Sequence, residues 1–192
     1  MPVSITIVSY DSDWPHRFEQ EAVQIRQQLS GMVQALEHIG STAVEGLGGK
    51  PIIDMMLGVK ATEPAALSPV VHQLMSMGYC YFPLYEEGIY RDRRFLARYE
   101  GLPSMRIESH SQFPDRAAYP PLFHVHLLSI DSPYWKRHLQ FRDYLRAHPI
   151  ARDAYYRMKV KLARGVWESG EDYAQAKRGF IQRIERLAEL GL

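Results

Sequence analysis

The sequence lacks the features that mark secreted and membrane proteins. It has one cysteine, Cys80, among 192 residues, which excludes an intramolecular disulfide framework and a cysteine-rich zinc site. Cys80 lies in the apolar run YCYF, so we expect a small buried side chain there. The N-terminus has no basic segment followed by a long apolar stretch, and no window reaches the length of a membrane span. We therefore expect a cytoplasmic protein with no membrane partner.

The chain also has almost no net charge. It carries 23 basic and 22 acidic residues, for a formal net charge of +1. A balanced chain has no bulk electrostatic attraction to nucleic acid, so nucleic acid is not indicated as a partner. Apolar residues make up 46% of the sequence, which is enough to form a core. The length suits a single domain over residues 1–192.

The pattern of apolar and turn-forming residues predicts an α+β protein. Strands are predicted at 3–9, 32–38, 51–59, 79–82, 91–99 and 122–130, and helices at 14–30, 64–78, 132–148, 151–167 and from residue 171 onward. Strands followed by a run of helices are typical of a small mixed β-sheet flanked by helices, here with C-terminal helices at 131–192 packing on it. Residues 100–121 contain four prolines and are predicted as a long loop or a partly paired excursion.

The segment HIGSTAVEGLGGKPIIDMM, residues 38–56, carries the strongest chemical signal. Gly40 allows the backbone to approach a ligand closely, and Ser41 and Thr42 add hydroxyl groups beside backbone amides that favour an anion. Asp54 follows inside an otherwise apolar strand, where an unpaired carboxylate would be costly to bury. We therefore expect Asp54 to have a partner, which is a metal ion, a cation or a set of backbone donors.

Basic side chains near this segment are candidates for phosphate binding. Lys50 precedes the strand of Asp54 and is expected to meet a phosphate as a point charge, the alternative being a solvated loop lysine. Arg91 and Arg93 share one face of the predicted strand RDRRFLARY, and Arg94 lies on the other. One of these arginines is expected to clamp a phosphate, the alternative being a solvated basic edge.

His124 and His126 alternate on the predicted strand LFHVHLLSI, so both side chains point to one face of the sheet. If that strand lies near the strand of Asp54, two imidazoles and one carboxylate form a candidate metal site. His126 is alternatively a general base acting on an acceptor hydroxyl. Otherwise the histidines are hydrogen-bonded residues of the sheet surface.

Three further positions carry weaker signals. His38 is expected to orient the glycine-rich turn through a hydrogen bond. Arg142 and Asp143 are expected to form a structural ion pair. Lys177 shares a helix face with Tyr173, so it lies at the rim of the core or reaches back toward the pocket.

The segment HIGSTAVEGLGGKPIIDMMLGV resembles the defining motif of the GrpB family (glutamate-rich protein B), a branch of the nucleotidyltransferase superfamily. Further similar segments follow in the same order, namely Trp14 with Phe18, Arg93-Arg94-Phe95, His124-Val125-His126-Leu127, Phe141 to Arg146, and Tyr173, Lys177 and Phe180-Ile181. The resemblance covers nearly the whole chain and is weakest over 100–121. It implies a sheet of the nucleotidyltransferase type.

The resemblance also implies a metal-dependent transfer of a nucleotidyl group from a nucleoside triphosphate to an acceptor. In that superfamily one strand carries two acids with an apolar residue between them, and these acids bind the divalent metals that clamp the triphosphate. Here Asp54 stands at the first position, but Met56 stands at the second. We expect Asp54 to bind Mg²⁺ or Mn²⁺, or a softer ion such as Zn²⁺ if His124 and His126 replace the second acid.

Two other functions are consistent with these residues. The missing acid at Met56 favours a non-catalytic module that binds a nucleotide or coenzyme without turning it over. The set of Asp54, His124 and His126 is alternatively the centre of a metal-dependent phosphoesterase.

Overall fold

The computed structural model describes residues 4–60, 64–86 and 92–191. Within them the chain forms five α-helices, five strands and several short 3₁₀ turns. The elements are α1 (Trp14–Gln28), β1 (Ala35–Ile39), β2 (Ile53–Val59), α2 (Ser68–Ser76), β3 (Cys80–Tyr81), β4 (Arg93–Tyr99), β5 (Pro121–Ser129), α3 (Pro133–Ala147), α4 (Pro149–Ala163) and α5 (Gly170–Leu190). The α+β class predicted from the sequence is confirmed.

The strands form one mixed sheet in the order β1-β2-β5-β4-β3. The central strands β2 and β5 run parallel, and the other neighbouring pairs are antiparallel. The register of β2 and β5 places Asp54 opposite His124 and Met56 opposite His126. The two strands that the sequence marked as chemically important are therefore direct neighbours.

The two faces of the sheet are covered by different helices, because successive side chains of a strand point to opposite faces. One face packs on α1 and α2 and forms the main core, which includes Ile53, Met55 and Leu57 of β2. The other face contributes Ile39, Met56 and Leu128 to a smaller cluster with Trp135 and Leu139 of α3. Asp54, His124 and His126 belong to this second face, so they lie on the side of the C-terminal helices.

The C-terminal helices begin and end at residues with strong local preferences. Ser132 caps α3 by accepting a hydrogen bond from the backbone N–H of Tyr134, and Ser169 caps α5 by accepting one from Asp172. Gly191 follows α5 with a positive φ of 67°.

Among the described helices, none combines the length and the apolar character that a membrane span requires.

The bounds of several segments differ from the prediction. In place of a strand at 3–9, the described residues 4–9 contain one isolated bridge, Val8 to Gly49. The helix predicted from residue 64 begins at Ser68, after a 3₁₀ turn at Pro64–Leu67. The first strand of the sheet, β1, begins at residue 35 instead of residue 32. The start of the strand predicted at 91–99 lies outside the described residues, which begin again at 92.

The loop predicted at 100–121 is largely confirmed. It contains a 3₁₀ turn at His110–Gln112 and one isolated bridge between Tyr81 and Arg106. Pro121 itself begins β5.

Arg142 ties α3 to the first strand of the sheet. Its Nη1 donates to Oε2 of Glu37 at 2.7 Å and to the carbonyl oxygen of His38 at 3.0 Å, while its Nε donates to Oδ1 of Asp143 at 2.7 Å. The residue is only 9% exposed. The structural role predicted for Arg142 and Asp143 is confirmed.

We expect Arg142→Met to lower the free energy of unfolding by about 2–3 kcal/mol, because it leaves Glu37 and the His38 carbonyl without their charged donor. Urea denaturation measures this loss. Arg157→Met removes an exposed arginine of α4 and is the matched control, with a change within about 0.5 kcal/mol. Equal stability of the two variants would contradict an anchoring role for Arg142.

Candidate functional site

The turn after β1 brings the backbone directly against Asp54. Gly40 has a positive φ of 71°, a conformation that favours glycine. A Cβ atom added to Gly40 would lie 2.5 Å from Oδ2 of Asp54. Position 40 therefore requires glycine for two reasons, which are the backbone conformation and the close approach of the Asp54 carboxylate.

The loop between β1 and β2 is held by four basic side chains of α3 and α4, which donate hydrogen bonds to carbonyl oxygens at or near the loop. The pairs are Arg142 with His38, Arg146 with Ala43, Arg152 with Glu45 and Lys159 with Gly48. We call this set the carbonyl clamp. Donors and acceptors follow the same order along the chain although they lie more than 100 positions apart in sequence. Charged donors make stronger hydrogen bonds than neutral ones, so the C-terminal helices fix the shape of this loop.

Lys159 also contacts Ser41, one of the residues predicted to bind phosphate. Its Nζ lies 2.7 Å from Oγ of Ser41, and the residue is only 2% exposed. Burial, aided by the charge of Lys177, lowers the pKa of Lys159 to about 7. The sequence interpretation missed this residue. The available signal was its spacing of four from Tyr155, which places the lysine on the buried side of α4.

Two more lysines lie against the ring of Tyr173. The distance from Nζ to the ring centroid is 4.9 Å for Lys50 and 4.7 Å for Lys177. Burial lowers the pKa of Lys50 to about 8, and the charges of Lys177 and Arg116 add to this effect. Burial also lowers the pKa of Lys177. Within residues 4–60, 64–86 and 92–191, neither ammonium group has a hydrogen-bond acceptor.

Asp54 supplies negative charge to this group. Its carboxylate opposes the lowering of the pKa of Lys50, Lys159 and Lys177. Its side chain is 31% exposed, and Oδ1 lies 3.1 Å from Nδ1 of His124. The partner expected for Asp54 is therefore His124, and the charge of Asp54 also acts on the pKa of three lysines. One carboxylate cannot balance three ammonium groups, so the site attracts an anion when the lysines are protonated.

His126 has a different environment from His124. Its Nδ1 lies 3.1 Å from Nη1 of Arg93, and because a guanidinium can only donate, this nitrogen accepts. Burial and the nearby charge of Arg93 lower the pKa of His126 well below its usual value. The neighbouring Met56 is buried and brings no carboxylate to this position.

The predicted metal centre stays a prediction. In the part of the chain that the structure describes, no group of three or more His, Cys, Asp or Glu side chains is arranged to hold a metal ion. Asp54 and His124 are in contact, whereas His126 contacts Arg93.

The structure does not bring Thr42 and Arg94 to this site. Thr42 is buried, and its hydroxyl lies 2.9 Å from Nε2 of His38, so it supports the turn instead of facing a ligand. The orienting role predicted for His38 is confirmed. Arg94 points to the opposite face of the sheet, where its Nε lies 3.1 Å from Oε2 of Glu86. Arg91 lies outside the described residues.

A groove of about 490 Å³ lies elsewhere, between α3 and the end of α5. Its lining is mainly apolar and consists of Trp135, Lys136, Leu139, Gln140, Asp143, Tyr144, His148, Ala188 and Gly191. None of the predicted site residues lines it. The titratable side chains, and not the size of a groove, identify the region around Asp54 as the candidate site.

Gly40→Ala is expected to destabilise the protein more than Gly31→Ala. Both positions have a positive φ, of 71° and 77°, but only at Gly40 would the new Cβ meet another side chain. Gly31→Ala should cost about 1 kcal/mol, and Gly40→Ala about 1–3 kcal/mol more because it displaces Asp54. Urea denaturation of both variants measures the difference, and equal losses would contradict the close approach.

Comparison with known proteins identifies the family. The family model described as GrpB protein matches residues 4–187. A UPF0157 protein of Halalkalibacterium halodurans is 35% identical over 187 residues, which cover 96% of this chain and 83% of that protein. Glutamate-rich protein GrpB of Alkalihalophilus pseudofirmus is 24% identical over 183 residues, covering 94% and 93%.

A solved structure agrees with these relatives. The crystal structure of conserved protein GrpB from Enterococcus faecalis superimposes with a TM-score of 0.73 at 30% sequence identity, covering 95% of this chain and 96% of that one. With a family model that matches nearly every residue, a similar relative and a similar fold, the chain belongs to the GrpB family.

Proposed function

We propose that this protein binds the phosphate groups of a nucleotide or of another small phosphorylated ligand and acts as a nucleotidyltransferase-type enzyme. The observation that carries the proposal is a set of three buried lysines beside the Gly40–Ser41 turn and Asp54. Lys159 contacts Ser41, Lys50 and Lys177 share the ring of Tyr173, and the charge of Asp54 acts on the pKa of all three lysines. A polyphosphate is the ligand whose charge matches this arrangement.

The state of the lysines supports an anionic ligand. Burial disfavours the charged form of all three, and Asp54 compensates only in part. A bound phosphate would supply the missing negative charge and accept hydrogen bonds from the ammonium groups of Lys50 and Lys177. Lysine binds phosphate as a compact point charge on a flexible stem, which suits a ligand with several equivalent oxygens.

Asp54 is the residue proposed to hold a divalent cation. Its carboxylate is partly exposed, and Mg²⁺ in nucleotide sites commonly binds one or two carboxylates together with substrate phosphates and water. Mg²⁺ or Mn²⁺ would there neutralise phosphate charge. Because Met56 replaces the second acid, we propose a single ion in place of the pair used by the wider superfamily.

In this proposal His124 is the base that takes the proton of the acceptor hydroxyl. Its Nδ1 contacts Asp54, the residue proposed to hold the cation, whereas Nδ1 of His126 accepts from Arg93. A histidine in that place can take the proton of an attacking hydroxyl. Positioning and charge neutralisation by the lysines would carry most of the catalysis.

A non-catalytic binding module is the second candidate. The observation that favours it is Met56, which is only 1% exposed and offers no metal ligand where the superfamily has an acid. A metal-dependent phosphoesterase built on Asp54, His124 and His126 has no comparable support among the described residues.

The binding claim is tested by thermal shift with ATP and Mn²⁺, because a ligand that binds only the folded state raises the Tm. We expect Lys177→Met to weaken the apparent Kd about tenfold or more by removing a charged donor. Lys161→Met removes an exposed lysine of α4 and should bind as the wild type does. Asp54→Asn should abolish the part of the shift that depends on Mn²⁺. An equal shift in all four proteins would contradict the proposed site.

Release of pyrophosphate from ATP then separates the two candidates. Release by the wild type that is lost in Asp54→Asn supports transfer, and tight binding without release supports the binding module. Release that persists in Asp54→Asn would contradict the role assigned to this carboxylate.

The affinity for inorganic pyrophosphate should fall as pH rises from 7.5 to 9. In the free protein the pKa of Lys50 is about 8, so above this pH the lysine must take up a proton when the anion binds. The loss of affinity approaches about tenfold per pH unit above that pKa. Isothermal titration calorimetry in two buffers of different ionisation enthalpy detects the proton uptake, and proton release would contradict the assignment.

A further inference from the structure

Ser41 and Lys159 form a pair that phosphate binding alone does not require. We propose that Lys159 activates Ser41 as a nucleophile, so that the nucleotidyl group is first bonded covalently to the Ser41 oxygen and is then transferred to the acceptor. The proposal rests on the proposed function in one respect, because the lysine site delivers the phosphoanhydride that Ser41 attacks.

The geometry of Lys159 matches that of a base. Its Nζ lies 2.7 Å from Oγ of Ser41 and donates to the carbonyl oxygen of Gly48. A neutral amine has N–H groups and one lone pair. It can therefore donate to Gly48 while it accepts the hydroxyl proton of Ser41. Serine–lysine pairs perform this chemistry on several unrelated folds.

The surroundings of Lys159 favour the neutral amine. The residue is 2% exposed, and its Nζ lies 4.8 Å from the centroid of the Tyr155 ring. Burial lowers its pKa to about 7, so a large share of the side chain is unprotonated near neutral pH. The other three members of the carbonyl clamp are arginines, which stay protonated in proteins. Lys159 is thus the member that can act as a base.

The loop is shaped to bring the pair together. A Cβ added to Gly49 would lie 2.7 Å from Cβ of Ser41 and 3.6 Å from Nζ of Lys159. Two backbone hydrogen bonds hold Gly49 against Val8, with N···O distances of 2.9 and 3.0 Å. The isolated bridge at Val8 therefore fixes the backbone at Gly49, which lies against Ser41 and Lys159.

The reaction balances in two steps. In the first step the oxygen of Ser41 bonds to phosphorus, the bond from phosphorus to pyrophosphate breaks, and the hydroxyl proton passes to Nζ of Lys159. In the second step an acceptor hydroxyl attacks the same phosphorus and gives its proton to His124. The bond from Ser41 to phosphorus then breaks, and Lys159 returns its proton to the Ser41 oxygen.

Diisopropyl fluorophosphate tests the pair without a nucleotide. It forms an O–P bond with an activated serine and releases fluoride. Intact-mass and peptide mass spectrometry should show one adduct, on Ser41. Ser104, whose hydroxyl donates to the carbonyl of Tyr79 at 2.8 Å, is the internal control and should stay unlabelled. Ser41→Ala should remove the adduct.

Two variants of Lys159 separate a base from a structural donor. Lys159→Arg keeps the charge and the donors but cannot accept a proton, and Lys159→Met removes both. Each should slow labelling of Ser41 at least tenfold, with thermal unfolding confirming a folded protein. Labelling of Lys159→Arg at the wild-type rate, or no adduct on wild-type Ser41, would overturn the proposal.

The same experiment distinguishes this proposal from the proposed function. A missing adduct together with an intact ATP-dependent rise in Tm overturns the nucleophile and leaves nucleotide binding in place. An adduct on Ser41 without any nucleotide binding supports the nucleophile and overturns the proposed ligand.

Discussion

The candidate site depends on the hydrogen bonds that α3 and α4 donate to the carbonyl oxygens around the glycine-rich loop. These bonds join residues more than 100 positions apart and follow the loop in order, from His38 to Gly48. Backbone hydrogen bonds within the loop join Val44 to Ser41, Leu47 to Val44 and Ile52 to Lys50. The side-chain donors of the two helices add to these bonds and hold further carbonyl oxygens of the loop in place. Through Gly40 and Gly49, the shape of the loop sets the positions of Asp54 and Ser41.

The same helices that hold the loop also supply its positive charge. Lys159 of α4 and Lys177 of α5 lie with Lys50 of the loop on the helix-covered face of the sheet, where burial disfavours their charged forms. Asp54 alone does not offset this cost. The protein therefore keeps three lysines whose charged forms are disfavoured by burial, and such perturbed groups are typical of functional sites.

The local parts of the site were predictable from the sequence, and the parts built by distant helices were not. Gly40, Asp54 and Lys50 lie within one short segment, and the alternation of His124 and His126 predicted that both side chains lie on one face of the sheet. Register then decided which histidine meets Asp54. Lys159 was not predicted, because a helical lysine gives no sign in sequence of the loop it will contact. The pattern of residues 3–9 failed as a strand because pairing depends on a neighbour that the segment cannot specify.

We propose that phosphate groups bind beside Lys50, Lys159 and Lys177, the three lysines whose pKa values respond to the charge of Asp54. An experimental structure with a non-hydrolysable nucleotide analogue and Mn²⁺ tests this most directly. We expect phosphate density within hydrogen-bonding distance of Lys50 and Lys177, with the anomalous signal of Mn²⁺ next to Asp54. Density confined to the apolar groove beside Trp135 and Leu139, or an Mn²⁺ signal away from Asp54, would contradict it.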